Sequence, residues 1–232
     1  MNATLLKEFM DPPAAYRAKP FWAWNGKLDE QTLRTQIRIM KAMGFGGFFI
    51  HSRVGLATPY LSREWFHLVN ACRDEAEKLE MEAWLYDEDR WPSGAAGGFV
   101  TKEEEYRART LEATVWDRTK PFRAESGLVA LFAARFSGKH IGRFRRLSVA
   151  TKPLIASEET ILAFSVKVIE PSPWYNGCAY LDTLNHRAVR RFIRVTHEAY
   201  RKHCGKAFGH SIPGIFTDEP NFPAKLVPPH PM

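Results

Sequence analysis

The hydrophobic positions of the first ninety residues alternate between two periods. Leu5, Leu6 and Phe9 share one side of a helical turn pattern, and Asp11-Pro12-Pro13 stops it, which predicts a short amphipathic helix over 3–10. PFWAWN (20–25) is short and aromatic, and ends at the turn pair Asn25-Gly26, as a strand does. Asp29 is placed to cap a helix running to Met43, with Leu33, Ile37 and Met40 at helical spacing and Gly44 as the stop. GGFFIHS (46–52) is an apolar run too short for a helix and reads as a buried strand. Ser62 opens a second helix, whose stripe is Trp65, Val69, Cys72, Ala76 and Leu79, and MEAWLYDE (81–88) is the third strand. This β-α-β-α-β order with short connections predicts a parallel sheet with crossover helices.

The alternation then stops. WPSGAAGG (91–98) is a loop of small residues, followed by a charged segment. Between 110 and 169 the short runs LEATVW, LVALFAARF and ILAFSVKVI are punctuated by Gly127, Gly138, Gly142 and Pro153, which predicts an all-β insertion after the third strand. Helical spacing resumes at Val189, Phe192, Ile193 and Tyr200, capped at Thr183 or Asn185 and stopped at Gly205 or Gly209. PGIFTDEP (213–220) is a fourth strand, and a proline-rich tail follows.

Composition changes this picture little. The chain has 232 residues, 45% hydrophobic and 25% charged, which excludes a wholly disordered chain. No apolar run approaches the roughly 20 residues of a membrane span, and the charged N-terminus lacks a signal core. Three scattered cysteines, Cys72, Cys178 and Cys204, fit reduced thiols, so the expectation is a cytoplasmic protein without membrane contact. Cys72 reads as core, and Cys204 as a helix-end thiol open to exposure. The net charge of +7 falls in residues 101–232, chiefly around Arg135, Lys139, His140, Arg143, Arg145 and Arg146 and on the helix bearing Arg187, Arg190, Arg191, Arg194 and Arg201. Phe136 and Phe144 fall inside the first group, but alternating Phe and Arg is also the pattern of a half-exposed strand. Solvated faces are favoured over a nucleic-acid site.

The candidate chemistry lies at the strand ends, because parallel β/α sheets gather functional groups beyond their carboxyl edges. The four ends carry Trp24-Asn25, His51-Ser52-Arg53, Tyr86-Asp87-Glu88-Asp89-Arg90-Trp91 and Thr217-Asp218-Glu219. Carboxylates beside tryptophans suit a sugar: Trp faces stack on pyranose C–H faces, while Asp, Asn, His and Arg hold hydroxyls. Breaking a glycosidic bond needs one carboxyl as acid and another as base or nucleophile. Glu219 is the expected acid, since the preceding apolar strand and Pro220 would desolvate it and raise its pKa. Asp218 is read as a strand-end hydrogen-bond acceptor. Glu88, with Asp87 or Asp89, is available for hydroxyl contacts, a cation or the second carboxylate. Gly44-Phe45-Gly46-Gly47 follows a helix and precedes a strand, the reverse of a dinucleotide-binding turn. His197-Glu198 lacks the second histidine of a zinc site, so His197 and His203 read as surface residues, and no metal is assigned. PSGAAGG has the makings of an anion-binding nest, but reads better as a tight loop that lets a substrate approach the backbone.

The segments carrying WNG, HSRVGL, YDEDRWPSG and FTDEP, in that order across residues 18–222, resemble the N-terminal catalytic part of the α-L-rhamnosidase-like glycoside hydrolases, family 106 and its relatives. The resemblance implies a (β/α)₈ barrel, of which about four β/α units stand here: strands one to three over 1–104, a β-rich insertion over 105–180, and a helix, the fourth strand and the tail over 181–232. It implies Glu219 as acid at the end of the fourth strand, with Glu88 the second catalytic candidate. Trp24, Asn25, His51, Arg53, Asp87, Trp91, Asp182 and Asp218 would line the substrate pocket. The later strand expected to bring the second carboxylate has no counterpart, so the chain is expected to be a front half or a truncated product. A C-terminal barrel half or self-association is its expected partner beside a glycoside substrate. Calcium, where that family uses it, has no assignable ligands, and no other cofactor is expected.

Overall fold

A computed structural model of the chain describes residues 3–116, 126–151 and 153–220. The proline-rich tail lies outside the described residues. Two compact units are present: one of residues up to 106 together with those from 171, the other of residues 107–170.

In the first unit, α1 (Ala3–Met10), β1 (Phe21–Trp24), α2 (Glu30–Ala42), β2 (Gly47–Ser52), α3 (Arg63–Lys78) and β3 (Glu82–Tyr86) follow one another. The caps are those the sequence calls for. Asp29 Oδ2 accepts the Thr32 N–H at 2.8 Å, and Ser62 Oγ accepts the Trp65 N–H at 3.1 Å, each satisfying a helix donor that has no partner within its helix. After the insertion come α4 (His186–Val195), α5 (His197–Cys204) and the two-residue strand β8 (Ile215–Phe216). The sheet is parallel in the order β1-β2-β3-β8. It is open: a mixed α/β arrangement with β1 and β8 at its edges, and no closed barrel among the described residues.

Period-two alternation sorts the sheet into two faces. Trp22, Trp24, Phe48, Ile50, Ala83 and Leu85 pack into the main core with Leu33, Ile37 and Met40 of α2 and Trp65, Val69, Cys72 and Ala76 of α3. Each fully buried aromatic or aliphatic side chain here contributes about 1.5–3 kcal/mol. Buried Glu75 ties the two helices together, facing Arg38 Nε at 2.6 Å and Arg34 Nη1 at 3.1 Å. The opposite face carries Phe21, Phe49 and Phe216 in mutual ring contact, with Trp84 against Phe49 and His51 against Phe21.

The single helix expected before the fourth strand is two helices. Thr196 Oγ1 donates to the Phe192 carbonyl at 2.8 Å, the back-bond that bends helices, and its backbone departs from ideal helical values. Cys204, expected near a surface, is buried with Tyr200 against the main core.

The second unit is an antiparallel sheet of β4 (Arg109–Val115), β5 (Leu128–Ser137), β6 (His140–Leu147) and β7 (Thr160–Val168), in the order β4-β7-β5-β6. Its small core is Leu131, Ile161 and Ala163, covered by Trp116, Leu147, Val149 and Ile155. The basic run around Arg143 is the exposed edge strand β6. Arg145 pairs with Glu159 at 2.8 Å and Arg135 with Glu158, so part of this charge is neutralised within the sheet.

Candidate functional site

Along the helix-free face of the sheet, and reaching past the carboxyl ends of β2 and β8, lies a hollow of about 420 Å³ lined by Phe21, Ala23, His51, Arg53, Phe216, Asp218 and Glu219. Phe21 and Ala23 reach it because alternate β1 residues face away from the helices. Asp218 and Glu219 reach it because the chain leaves β8 after only two paired residues. Glu219 takes φ 27°, uncommon for a residue with a side chain, and its Oε2 accepts the Trp91 indole N–H at 3.2 Å. Trp91 meets Trp174 edge to face, centroids 5.4 Å apart, and Trp174 is 63% exposed.

Behind the hollow is a buried polar network. Asp218 Oδ1 accepts the Ser93 N–H at 2.9 Å, and the Tyr86 hydroxyl is 3.1 Å from each Asp218 oxygen. His51 stacks on Tyr86; its Nδ1 is 3.1 Å from the Ser52 carbonyl, and its Nε2 is 3.9 Å from Asp218 Oδ2. A carbonyl oxygen only accepts, so Nδ1 carries a proton, and Nε2 faces Asp218 as a donor only when the ring is charged. Ser93 Oγ stands between two carboxyl groups, 2.7 Å from Asp87 Oδ1 and 3.0 Å from Asp218 Oδ1. Asp87 Oδ2 accepts the Thr217 hydroxyl and faces His197 Nε2 at 3.5 Å. Burial pushes Asp87 above the ordinary carboxylate value; the charge on Asp218 adds to this, against the hydrogen bonds of Thr217 and Ser93 and the facing His197. Burial acts the same way on Asp218 but loses to His51, Ser93 and Tyr86, which together hold it below its ordinary value.

Glu88 has a different environment. Its Oε1 accepts the N–H groups of Asp89 and Gly97, and its Oε2 those of Gly94 and Ala96, at 2.5–2.9 Å. Residues 94–97 therefore form an anion nest whose anion is the chain's own carboxylate. Burial pushes Glu88 up to about 7 against these four donors. Tyr180 fastens the same loop by donating to the Ser93 carbonyl at 2.7 Å. Gly94 is required there: a Cβ would lie 2.7 Å from the Tyr180 ring, at φ 152°.

No family model and no curated protein matches the chain. Among solved structures, a rhamnosidase from Novosphingobium sp. PP1Y aligns with a TM-score of 0.43 and 23% identity, over 57% of this chain and 15% of that one. The present chain thus spans about 15% of the length of the structure it matches.

The residues picked from the sequence divide into three groups. His51, Arg53, Asp218 and Glu219 come together around the hollow, with Trp91 bonded to Glu219. Glu219 is exposed, not desolvated as expected, because Pro220 is exposed too and covers nothing. Asp87 and Glu88 are buried within the network and the nest, with 0% and 2% exposure, so neither presents a free carboxylate. The remaining three lie elsewhere. Trp24, at 1% exposure, is a core residue between Trp22 and Trp65, because its strand position faces the helices. Asn25 is exposed outside the hollow's lining, and Asp182 accepts the Leu184 N–H at 3.1 Å in the turn before α4. His197, read as a surface residue, is only one-third exposed and faces Asp87, whereas His203 is exposed as read and stacks on Phe66 at 4.0 Å. Sequence reasoning placed Thr217 at a strand end without giving it a role, and missed Ser93 and Trp174 as site residues. Of the two missed residues, only Ser93 carried a signal, in the small-residue loop around it.

Among the described residues no group of three or more His, Cys, Asp or Glu side chains is placed to hold a metal ion. Nor is any described helix long and apolar enough to cross a membrane.

Proposed function

We propose that the strand-end hollow binds a glycoside and that the first unit is a glycoside hydrolase-like catalytic module. The observation that carries this reading is the placing of two unlike carboxyl groups on one rim. Asp218 is held below its ordinary value by donors around it, and Glu219 is exposed beside the Trp91–Trp174 pair. Glycoside cleavage proceeds through an oxocarbenium-like state, which needs a fixed negative charge and a proton for the leaving oxygen. Asp218 suits the first role, and Glu219, lining the same hollow, is the carboxyl group assigned to the second. Trp174 offers an open face for a sugar ring, and Arg53 and His51 offer hydrogen bonds to hydroxyl groups. The motif resemblance to α-L-rhamnosidase-like enzymes supports an aryl rhamnoside as the first substrate to try. The test is hydrolysis of aryl rhamnosides and other aryl glycosides by the full chain and by Glu219→Gln. Turnover lost in the variant supports the reading.

One observation favours a second reading, carbohydrate binding without hydrolysis. Asp87 and Glu88, two of the candidate carboxyl groups, are occupied in holding the loop and the network. Sugar-dependent quenching of tryptophan fluorescence without turnover would select that reading, and neither quenching nor turnover would sink both.

A further inference from the structure

The hydrogen-bond inventory of Ser93 constrains the protonation of its neighbours. A hydroxyl donates one hydrogen bond and accepts two. The Asp218 N–H reaches Ser93 Oγ at 3.2 Å and takes one accepting position. The other two neighbours are Asp87 Oδ1 at 2.7 Å and Asp218 Oδ1 at 3.0 Å. An ionised carboxylate cannot donate, so the single Ser93 proton serves one of them and the other must bring its own. We propose that Asp87 is that group, a neutral carboxylic acid donating to Ser93, through which it positions Asp218 as the ionised carboxylate of the hollow.

The surroundings assign the proton to Asp87. Asp218 Oδ1 already receives the Ser93 N–H, the Tyr86 hydroxyl approaches both Asp218 oxygens, and His51 faces Oδ2. A proton on Asp218 Oδ1 would therefore face the Ser93 N–H, which can only donate. Asp87 is 0% exposed, with Thr217 as the hydroxyl donor to its far oxygen. The groups facing it are His197 from α5, Thr217 and Asp218 beyond β8, and Ser93 from the loop, with the Tyr60 and Tyr200 hydroxyls acting from the core. His197 alone of these favours a charged Asp87 by its own charge, and it stands at 3.5 Å with one-third of its side chain exposed. Burial and the negative charge on Asp218 act against it. The charge on Asp218 disfavours a second charge on Asp87 and so adds to the effect of burial. The importance given to Asp218 rests on the glycoside reading; the protonation of Asp87 does not.

The test is carbon-13 NMR of the full chain with carboxyl-labelled aspartate, titrated from pH 2 to 8. One aspartate carboxyl signal is expected to stay at its protonated position through pH 7 and to be missing in Asp87→Asn. That variant should melt within a few degrees of the parent, since an amide N–H replaces the carboxyl O–H toward Ser93. Ser93→Ala should move the Asp218 titration to higher pH, because the serine hydroxyl donor to its Oδ1 is lost while the backbone N–H and the Tyr86 hydroxyl remain. Three results would each overturn the proposal: every aspartate ionised at pH 7, a protonated signal that survives Asp87→Asn, or an Asp87→Asn chain that does not fold. Absence of glycoside hydrolysis would leave all these outcomes unchanged, so the two ideas fail separately.

Discussion

Tyr86 lies flat against His51, ring centroids 3.9 Å apart and planes 14° from parallel, while its hydroxyl is 3.1 Å from each oxygen of Asp218. One side chain thereby orients the histidine and the carboxylate of the hollow. Asp218 is held below its ordinary carboxylate value, so the stability it contributes is fully present above about pH 4 and lost as pH falls through its folded-state value. Tyr86→Phe keeps the stack and removes the donor. It is expected to cost about 2 kcal/mol, the worth of a hydrogen bond to a charged group, and to move the acid-unfolding midpoint to higher pH. Circular dichroism over an acid titration of both chains measures this.

Glu88 has the opposite sign. Its folded value is raised to about 7 from 4.5, so its contribution is fully present below pH 4.5 and lost as pH rises through 7. The unfolding free energy is expected to fall by roughly 3 kcal/mol between pH 5 and 9 on this account. Glu88→Gln removes the titration and flattens that slope. It also lowers stability at every pH, because an amide nitrogen facing the N–H groups of residues 94–97 leaves donors unpaired. Denaturant melts of both chains across the pH range test the slope; an unchanged slope would disprove the assignment.

Two tryptophans should separate packing from recognition. Trp24 is a core residue, so Trp24→Ala is expected to cost about 3–5 kcal/mol by leaving a cavity. Trp174 is exposed, so Trp174→Ala should change stability by no more than about 0.5 kcal/mol while weakening glycoside binding. Thermal melts and sugar titrations of the two variants are the measurements.

Glu219 is exposed, so Glu219→Gln should likewise leave stability within about 0.5 kcal/mol of the parent. Its amide oxygen can still accept from Trp91. Loss of glycoside turnover with unchanged melting is the expected pair of results, and turnover retained at the parental rate would remove Glu219 from the mechanism.

Sequence alone determined the local elements of the first unit. The caps at Asp29 and Ser62, the stripes of α2 and α3 and the apolar runs of β2 and β3 are short-range signals, each readable within one or two turns or a single strand. It also picked out His51, Arg53, Asp218 and Glu219, because strand ends of a parallel sheet converge whatever the details of packing. Tertiary structure decided which face each strand residue took and what each carboxyl group met. The strand phase that sends Trp24 into the core sends Phe21 and Ala23 toward the hollow. Glu88 and Asp87, adjacent in sequence, part company because one meets four backbone N–H groups and the other a shared serine. Such partners come from residues up to 130 positions away, as Thr217 does to Asp87, so no local pattern could carry them. Burial and hydrogen-bond inventory, which set the charge of a carboxyl group, are properties of the assembled site.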